Sequence, residues 1–154
     1  MTALLVVCLG NICRSPLGEG ALRAALAVAG LASQVRVDSA GTGSWHAGQA
    51  PDARAQACAL RHGVDIGAQR ARQLSAQDFF DFDWLLCADA DNLAAARALA
   101  PPGLESRAVL WLEWAGQGQG AQLPDPYYGS DADFGQVWSL VSAAARVTCQ
   151  RVAR

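Results

Sequence analysis

The feature that most constrains this chain is a short run in which an apolar strand passes through a tight loop into a helix. Leu4 to Val7 form a continuous apolar stretch, which is typical of a central parallel strand covered on both faces. Ser15 is predicted to be the N-cap residue and Pro16 the first helical residue, so that a helix begins directly after Arg14. This strand, loop and helix predict an α/β fold.

The connecting residues, Cys8 to Arg14, are predicted to bind an anion. Unpaired N–H groups at a helix N-terminus attract negative charge, and the same field favours a thiolate. Cys8 is therefore a candidate nucleophile. Arg14 supplies a planar pair of donors that fits two oxygens of one phosphoryl group. Gly10 allows a sharp turn, and Asn11 tolerates a left-handed conformation.

The sequence CLGNICRSP, from Cys8 to Pro16, resembles the signature loop of the low-molecular-weight protein tyrosine phosphatases. The resemblance implies that Asn11 holds the loop geometry and that the Ser15 hydroxyl donates a hydrogen bond to the thiolate. It implies a phosphate-binding loop made of Cys8, Leu9, Gly10, Asn11, Ile12, Cys13, Arg14 and Ser15. A motif remains a hypothesis without its structural context; the alternative is a buried structural Cys8 with Arg14 as a surface cation.

The segment from Leu123 to Ser130, LPDPYYGS, resembles the acid loop of the same family. Departure of the leaving group from a phosphomonoester needs a proton, which a nearby carboxylic acid supplies. Asp125 matches the family's general acid, and Tyr127 and Tyr128 match paired tyrosines that flank the site and contact an aromatic substrate ring. The alternative is that Asp125 merely starts a turn, since Asp-Pro is common in turns, and that the tyrosines pack against the body.

Three further segments follow the family's order, SAGTGSW at 39–45, RARQL at 70–74 and Asp89-x-x-Asn92. The resemblance implies that Trp45 forms a wall of the substrate cleft and that Asp89 braces the phosphate-binding loop. Arg72 is a candidate structural partner near that loop, and His46 a residue of the cleft rim. A half-buried loop residue is the alternative for Trp45.

Two positions bear on loop support and specificity. Many family members carry a His just before the RARQ stretch, hydrogen-bonded to the loop Asn, whereas this chain has Gln69. Gln can donate the same bond to Asn11 but cannot titrate, which predicts loop support that is insensitive to pH. Members that resemble protein-arginine phosphatases have Thr at the position of Ile12; Ile12 instead favours the phenyl ring of phosphotyrosine.

The five cysteines, an odd number without an export signal, predict reduced thiols and a cytoplasmic protein. Their spacing from the two histidines matches no zinc pattern, so neither a metal nor a cofactor is predicted. The family resemblance suggests that Cys13 traps an oxidised Cys8 in a reversible disulfide; the alternative is a small apolar residue at the helix start. The remaining cysteines, Cys58, Cys87 and Cys149, are predicted to fill the core.

Length and charge limit the other possibilities. The chain of 154 residues is predicted to be one domain, spanning 1–154. A formal charge of −2 argues against binding to nucleic acid or to an anionic membrane. The apolar start is too short for a secretory signal, and no segment reaches membrane-spanning length. A monomer is expected.

Alternating patterns predict the remaining elements. Helices are predicted at 17–29, 51–62, 75–78, 90–99 and 132–152; strands at 34–38, 82–87 and 107–112; and a loop at 39–43. The simplest assembly is a single-domain, three-layer α/β fold, with a central four-stranded parallel sheet whose first strand is central and helices on both faces. Such sheets bind ligands beyond the carboxyl ends of their strands, and Cys8 lies at one such end.

Together these patterns predict a phosphotyrosine phosphatase that acts without metal through a cysteinyl-phosphate intermediate. The partner would be a phosphotyrosine protein such as a bacterial tyrosine kinase, although a host protein or a small ester fits equally. Whether Tyr127 or Tyr128 is itself phosphorylated stays open. One alternative is a thiol-dependent arsenate reductase, for which Cys87 would have to join a cysteine relay. Another is a silent phosphotyrosine-binding module, against which Cys8 and Asp125 both argue.

Overall fold

A four-stranded parallel sheet forms the centre of the computed structural model, which describes residues 1–153. The strands are β1 (Thr2–Cys8), β2 (Val35–Gly41), β3 (Trp84–Cys87) and β4 (Ala108–Leu110). Their order is β2-β1-β3-β4, and all three neighbouring pairs are parallel. The predicted sheet with β1 at its centre is therefore confirmed.

Six α-helices accompany the sheet within the described residues: α1 (Arg14–Val28), α2 (Ala53–Arg61), α3 (Asp78–Asp81), α4 (Ala90–Leu99), α5 (Trp111–Trp114) and α6 (Asp131–Val152). A short 3₁₀ turn, Glu105–Arg107, precedes β4. Among these helices, none combines the length and the apolar character that crossing a membrane requires.

Two separate hydrophobic clusters cover the two faces of the sheet. Side chains alternate along a strand, so that Leu4 and Val6 of β1 join a cluster with α1, α2 and α6, whereas Leu5 and Val7 join a cluster with α3 and α4. Because β1 is buried on both faces, its sequence is continuously apolar, as a central parallel strand requires.

Two strands have ends that differ from the prediction. Residues 39–41, predicted as loop, continue β2, because β2 pairs with β1 along its whole length and Gly41 lies opposite Cys8. The predicted strand at 107–112 stops at Leu110, and Trp111 begins helix α5. Trp111 is fully buried, and its indole N–H donates to Thr148 Oγ1 at 3.0 Å. A short apolar run does not distinguish a buried strand from a buried helix turn.

Several other boundaries move by one to three residues. The short helix predicted at 75–78 is α3, which begins at Asp78 rather than ending there, and the Asp78 carboxylate accepts the Ser75 N–H at 2.9 Å. Helix α4 matches the prediction, whereas β3 starts at Trp84 rather than at Phe82, which is the C-cap of α3. Helix α2 starts after Asp52, whose carboxylate accepts the Arg54 N–H and caps the helix, so the prediction of Pro51 as its first residue is wrong. Helix α6 starts at Asp131, one residue early, behind a Ser130 capping box.

Helix α1 begins two residues earlier than predicted from Ser15 as N-cap and Pro16 as first residue. Its N-cap is Cys13 and its first residue is Arg14, so the prediction of Ser15 as N-cap is wrong. The Ser15 hydroxyl contacts Cys8 Sγ and Asn11 instead of capping the helix. The first turn of α1 is thus built around the sulfur atom at the end of β1.

Candidate active site

The Cys8 sulfur lies at the carboxyl end of β1, directly against the first turn of α1. The residue is 2% exposed. Ser15 approaches it twice, with its hydroxyl oxygen 3.1 Å from Sγ and its backbone N–H donating to Sγ at 3.4 Å. A sulfur held by donors at a helix N-terminus is well placed to carry negative charge.

Asn11 fixes the conformation of the phosphate-binding loop. Its φ of 57° is in the left-handed region, as predicted for this residue. Its side-chain amide donates to Ser15 Oγ at 2.7 Å and to Ser39 Oγ at 3.0 Å, and its carbonyl oxygen accepts the Arg72 backbone N–H at 3.1 Å. All of its side-chain N–H groups are therefore used.

The direction of this hydrogen-bond chain follows from Glu19, an acceptor when ionised. The Ser39 hydroxyl donates to Glu19 Oε1 at 2.8 Å, so it accepts from Asn11. Asn11 also donates to Ser15, which leaves the Ser15 hydroxyl proton free to point at Cys8 Sγ. Burial raises the pKa of Glu19, while the hydrogen bonds from Ser39 and from a neighbouring Arg oppose the rise.

Arg14 joins the phosphate-binding loop to two other elements. Although it is 3% exposed, its Nη1 donates to Asp89 Oδ2 at 2.7 Å and to the Leu123 carbonyl at 3.1 Å. Its Nη2 lies 3.7 Å from Asp125 Oδ2. Burial alone would lower the pKa of Arg14, but the negative charges of Cys8 and Asp89 raise it overall. The guanidinium is thus a fixed positive charge beside the sulfur.

The acid loop, Leu123–Ser130, brings a carboxyl group to the rim of this site. The side chain of Asp125 is 47% exposed, and its Oδ1 accepts the Tyr127 N–H at 3.1 Å. Its other oxygen faces Arg14. The rings of Tyr127 and Tyr128 meet edge to face, with centroids 4.8 Å apart. The exposed carboxyl of Asp125 lies beside the buried Arg14 guanidinium and lines the same cavity as the Cys8 thiol. It is therefore well placed to exchange a proton with a bound ligand.

A cavity of about 240 Å³ brings the predicted catalytic and cleft residues together. Trp45, 70% exposed, stands at its edge, and His46 lies at its rim near Gln49. The cavity is lined by Cys8, Leu9, Gly10, Ile12, Cys13, Arg14, Trp45, His46, Asp125, Tyr127 and Tyr128. A larger groove of about 780 Å³ between α1 and α6 contains none of these residues.

The predicted hydrogen bond from Gln69 to Asn11 is wrong. Gln69 Nε2 donates to the Pro16 carbonyl at 3.2 Å. The side chain of Asn11 is instead held by Ser15, Ser39 and the backbone N–H of Arg72. Among residues 1–153, Gln69 Oε1 has no hydrogen-bond partner. Gln69 therefore supports the first turn of α1 and not the loop itself.

Arg72 and Asp89 support the site in different ways. The Arg72 backbone N–H holds Asn11, while its side chain pairs with Asp78 at 3.0 Å and Asp38 at 3.2 Å, away from Asp89. Asp89 caps α4 by accepting the Asn92 N–H at 2.8 Å, and it also accepts from Arg14. One carboxylate thus fixes both a helix start and the site's guanidinium.

Sequence reasoning missed three residues around the site. Ser39 lies in a segment that the family resemblance covered, but it was given no role, and Glu19 lies on a helix whose sequence indicated only packing. Arg54 contacts the acid loop from the start of α2. An Arg in the first turn of an exposed helix is usually a solvated charge, so the sequence carried no signal for this contact.

The five cysteines are all unpaired and buried. Cys58, Cys87 and Cys149 belong to the hydrophobic clusters, which confirms their predicted packing role. Burial, together with the charge of Asp52, raises the pKa of Cys13 to about 12. Cys87 packs on the opposite face of the sheet from Cys8, which is incompatible with a direct relay between the two thiols.

Comparisons with known proteins agree on one family. The model of the low molecular weight phosphotyrosine protein phosphatases matches residues 3–154. The human low molecular weight phosphotyrosine protein phosphatase is 38% identical over 150 residues, which cover 97% of this chain and 94% of the relative.

Solved structures give the same result. The crystal structure of YfkJ from Bacillus subtilis has a TM-score of 0.92 and 35% identity, and the match covers 99% of this chain and 95% of that one. Vibrio vulnificus Wzb in complex with benzylphosphonate has a TM-score of 0.85 and 30% identity, with coverage of 97% and 98%.

Proposed function

This chain belongs to the low-molecular-weight phosphotyrosine protein phosphatase family, and we propose that Cys8, Arg14 and Asp125 carry out its reaction. It is a protein-tyrosine-phosphatase. The observation that carries the assignment of residues is one cavity of about 240 Å³ lined by the thiol, the guanidinium and the carboxyl group. Nucleophile, charge stabiliser and proton donor are thereby within reach of one phosphoryl group.

In the first step, Cys8 Sγ attacks phosphorus and the bond from phosphorus to the tyrosine oxygen breaks. Asp125 in its acid form gives its proton to the departing phenolate oxygen. Arg14 and the backbone N–H groups of the phosphate-binding loop stabilise the charge on the three remaining oxygens. The products of this step are tyrosine and a phosphoryl group bound to Cys8.

In the second step, a water molecule attacks phosphorus while Asp125, now a carboxylate, accepts its proton. The bond from phosphorus to sulfur breaks and releases inorganic phosphate. The Cys8 sulfur leaves as a thiolate that the Ser15 hydroxyl and backbone N–H stabilise at 3.1 and 3.4 Å. The same donors thus favour the thiolate at the start and at the end of the cycle.

We propose phosphotyrosine in a protein as the substrate. Ile12, Trp45, Tyr127 and Tyr128 line the cavity with apolar and aromatic surface suited to a phenyl ring. The Vibrio vulnificus relative was solved with benzylphosphonate, which joins a phenyl ring to a phosphonate group. A bacterial tyrosine kinase is the proposed partner class, since such a kinase presents phosphotyrosine.

We propose that the protein is located in a reducing cytoplasm, because all five of its cysteines are unpaired. We propose that residues 1–154 act as a single domain, because one family model matches residues 3–154, and that the protein acts as a monomer.

We also propose that Cys13 protects an oxidised Cys8. A peroxide converts the Cys8 thiolate to a sulfenic acid, and the Cys13 thiol then displaces its hydroxyl to give a disulfide and water. Cys8 and Cys13 both line the cavity. Because its pKa is raised to about 12, Cys13 is a protonated thiol before Cys8 is oxidised. After peroxide treatment, we expect dithiothreitol to restore the activity of wild type but only part of that of Cys13→Ser.

Hydrolysis of p-nitrophenyl phosphate and of a phosphotyrosine peptide in the presence of EDTA tests the assignment. We expect Cys8→Ser to lose at least about a thousandfold in kcat/KM on both substrates, or roughly 4 kcal/mol. Asp125→Asn should lose about a hundredfold on the phosphotyrosine peptide and less on p-nitrophenyl phosphate. Cys149→Ser, outside the cavity, should retain the wild-type rate. Full activity of Cys8→Ser, or arsenate reduction by an otherwise inactive wild type, would refute the assignment.

A further inference from the structure

The guanidinium of Arg54 connects the start of α2 to the acid loop. Its Nε and Nη2 donate to the Asp52 carboxylate at 3.1 and 3.0 Å. The same group donates to the Tyr127 carbonyl at 2.9 Å and to the Gly129 carbonyl at 3.4 Å. One planar cation therefore holds a carboxylate and two main-chain carbonyls at fixed relative positions.

Aromatic rings hold this guanidinium from a third side. Its central carbon lies 4.7 Å from the centre of the Phe134 ring and 5.7 Å from that of Tyr127. Phe134 is fully buried in α6. A cation stacked on an immobile ring has little freedom to follow a moving loop. Arg54 thus holds the acid loop against a rigid part of the core.

Asp52 anchors the other end of the connection in the phosphate-binding loop. Its backbone N–H donates to the Ile12 carbonyl at 2.9 Å. The hydrogen bonds from Arg54 lower the pKa of the Asp52 carboxyl, so the pair stays charged at neutral pH. A continuous path of hydrogen bonds therefore runs from Ile12 through Asp52 and Arg54 to Tyr127.

The acid loop has few other supports after Asp125. The other hydrogen bonds of 126–130 stay within the loop or go to the start of α6, as from Gly129 N–H to the Pro126 carbonyl at 2.8 Å. Within the described part of the chain, Arg54 supplies the hydrogen bonds that tie 126–130 to α2. Arg54 itself does not line the cavity.

We propose that Arg54 is a positioning residue that holds the acid loop where Asp125 can reach the leaving-group oxygen. This inference rests on the proposed role of Asp125 as general acid. Because the Arg54 guanidinium binds the acid loop and contacts no group that binds phosphate, its loss should impair protonation of the leaving group and leave phosphate binding intact.

The test compares two substrates that differ in their need for a proton. Phenyl phosphate releases a phenolate about as basic as that of tyrosine, with a pKa of about 10, whereas p-nitrophenolate leaves readily without protonation. We expect Arg54→Met to lower kcat/KM for phenyl phosphate by at least about tenfold and that for p-nitrophenyl phosphate by less than about threefold. Inhibition by inorganic phosphate should stay at its wild-type value.

Arg36→Met is the matched control. Arg36 also donates to a main-chain carbonyl, that of Asp81 at 2.8 Å, and lies 4.5 Å from the Phe82 ring centre, but it is remote from the cavity. Its replacement should change neither substrate's kcat/KM. Unchanged phosphate inhibition by Arg54→Met establishes that the variant is folded, so that a loss of activity reports on the loop.

The combination of Arg54→Met with Asp125→Asn separates positioning from general damage. If Arg54 acts through Asp125, the double variant should hydrolyse phenyl phosphate no more slowly than Asp125→Asn alone. Additive losses, or equal losses on both substrates, would overturn the inference. An unaffected Arg54→Met beside a strongly impaired Asp125→Asn would refute only the role of Arg54, whereas a fully active Asp125→Asn would refute the general acid and this inference together.

Discussion

Gly41, at the end of β2, lies in direct contact with the backbone of the phosphate-binding loop. A Cβ atom added to it would sit 2.8 Å from the Leu9 carbonyl oxygen and 3.1 Å from the Asn11 nitrogen. The strand cannot move away, because Gly41 donates to the Arg72 carbonyl at 2.9 Å and accepts from Leu74 at 2.7 Å on its other side. The Gly41→Ala substitution must therefore displace the loop.

The size of the effect follows from this geometry. Ordinary contacts to a Cβ begin at 3.4 Å, so the Leu9 carbonyl must shift by about half an ångström. Overpacking of this kind costs about 1–3 kcal/mol of stability. Since a misplacement of about 1 Å at a reacting centre costs about a hundredfold, we expect kcat/KM of Gly41→Ala to fall by roughly tenfold or more.

Urea denaturation and hydrolysis of p-nitrophenyl phosphate measure the two effects. The control is Gly135→Ala in α6, where an added Cβ has no neighbour within 4 Å. This change removes a flexible residue from a helix and should stabilise the protein by up to about 1 kcal/mol, with kcat/KM unchanged. Wild-type stability together with wild-type kcat/KM in Gly41→Ala would refute the argument.

Two further predictions concern the supports of the phosphate-binding loop. Burial raises the pKa of Glu19, so its contribution to stability is fully present below its unfolded pKa of about 4.3 and is lost as pH rises through its higher folded pKa. The unfolding free energy of wild type minus that of Glu19→Gln should therefore decrease with rising pH in urea titrations, and a constant or increasing difference would contradict this. Among residues 1–153, the side chain of Gln69 hydrogen-bonds to the Pro16 carbonyl and to no residue of the phosphate-binding loop, so Gln69→His should keep kcat/KM within about tenfold of wild type. A larger change in steady-state assays would mean that the residue supports the loop directly.

The central part of the fold was predictable because its signals are local. A continuous apolar run indicates a strand buried on both faces. Gly10 and Asn11 indicate the sharp turn that leads from this strand into the helix. Boundaries decided by tertiary pairing were not predictable. Residues 39–41 are strand because they pair with β1, and Trp111 begins a helix in which its buried indole N–H donates to Thr148 Oγ1.

The supports of the site were harder to predict than the groups that line it. Cys8, Arg14 and Asp125 fall within motifs, whereas Asn11 is held by a hydroxyl far along the chain and by a backbone N–H. Arg54 binds main-chain carbonyls, which every residue type supplies equally. Such contacts cannot be predicted from a single sequence, because they depend on how the helices and strands are placed relative to one another.

The most direct test of the account is to locate the phosphoryl group during turnover. Asp125→Asn, mixed rapidly with p-nitrophenyl phosphate and quenched in acid, should accumulate a phosphoenzyme, because the variant lacks the base of the second step. Peptide mass spectrometry is expected to find one added phosphoryl group on Cys8 and none when Cys8→Ser is introduced as well. A phosphoryl group on another residue, or turnover without any phosphoenzyme, would contradict the account.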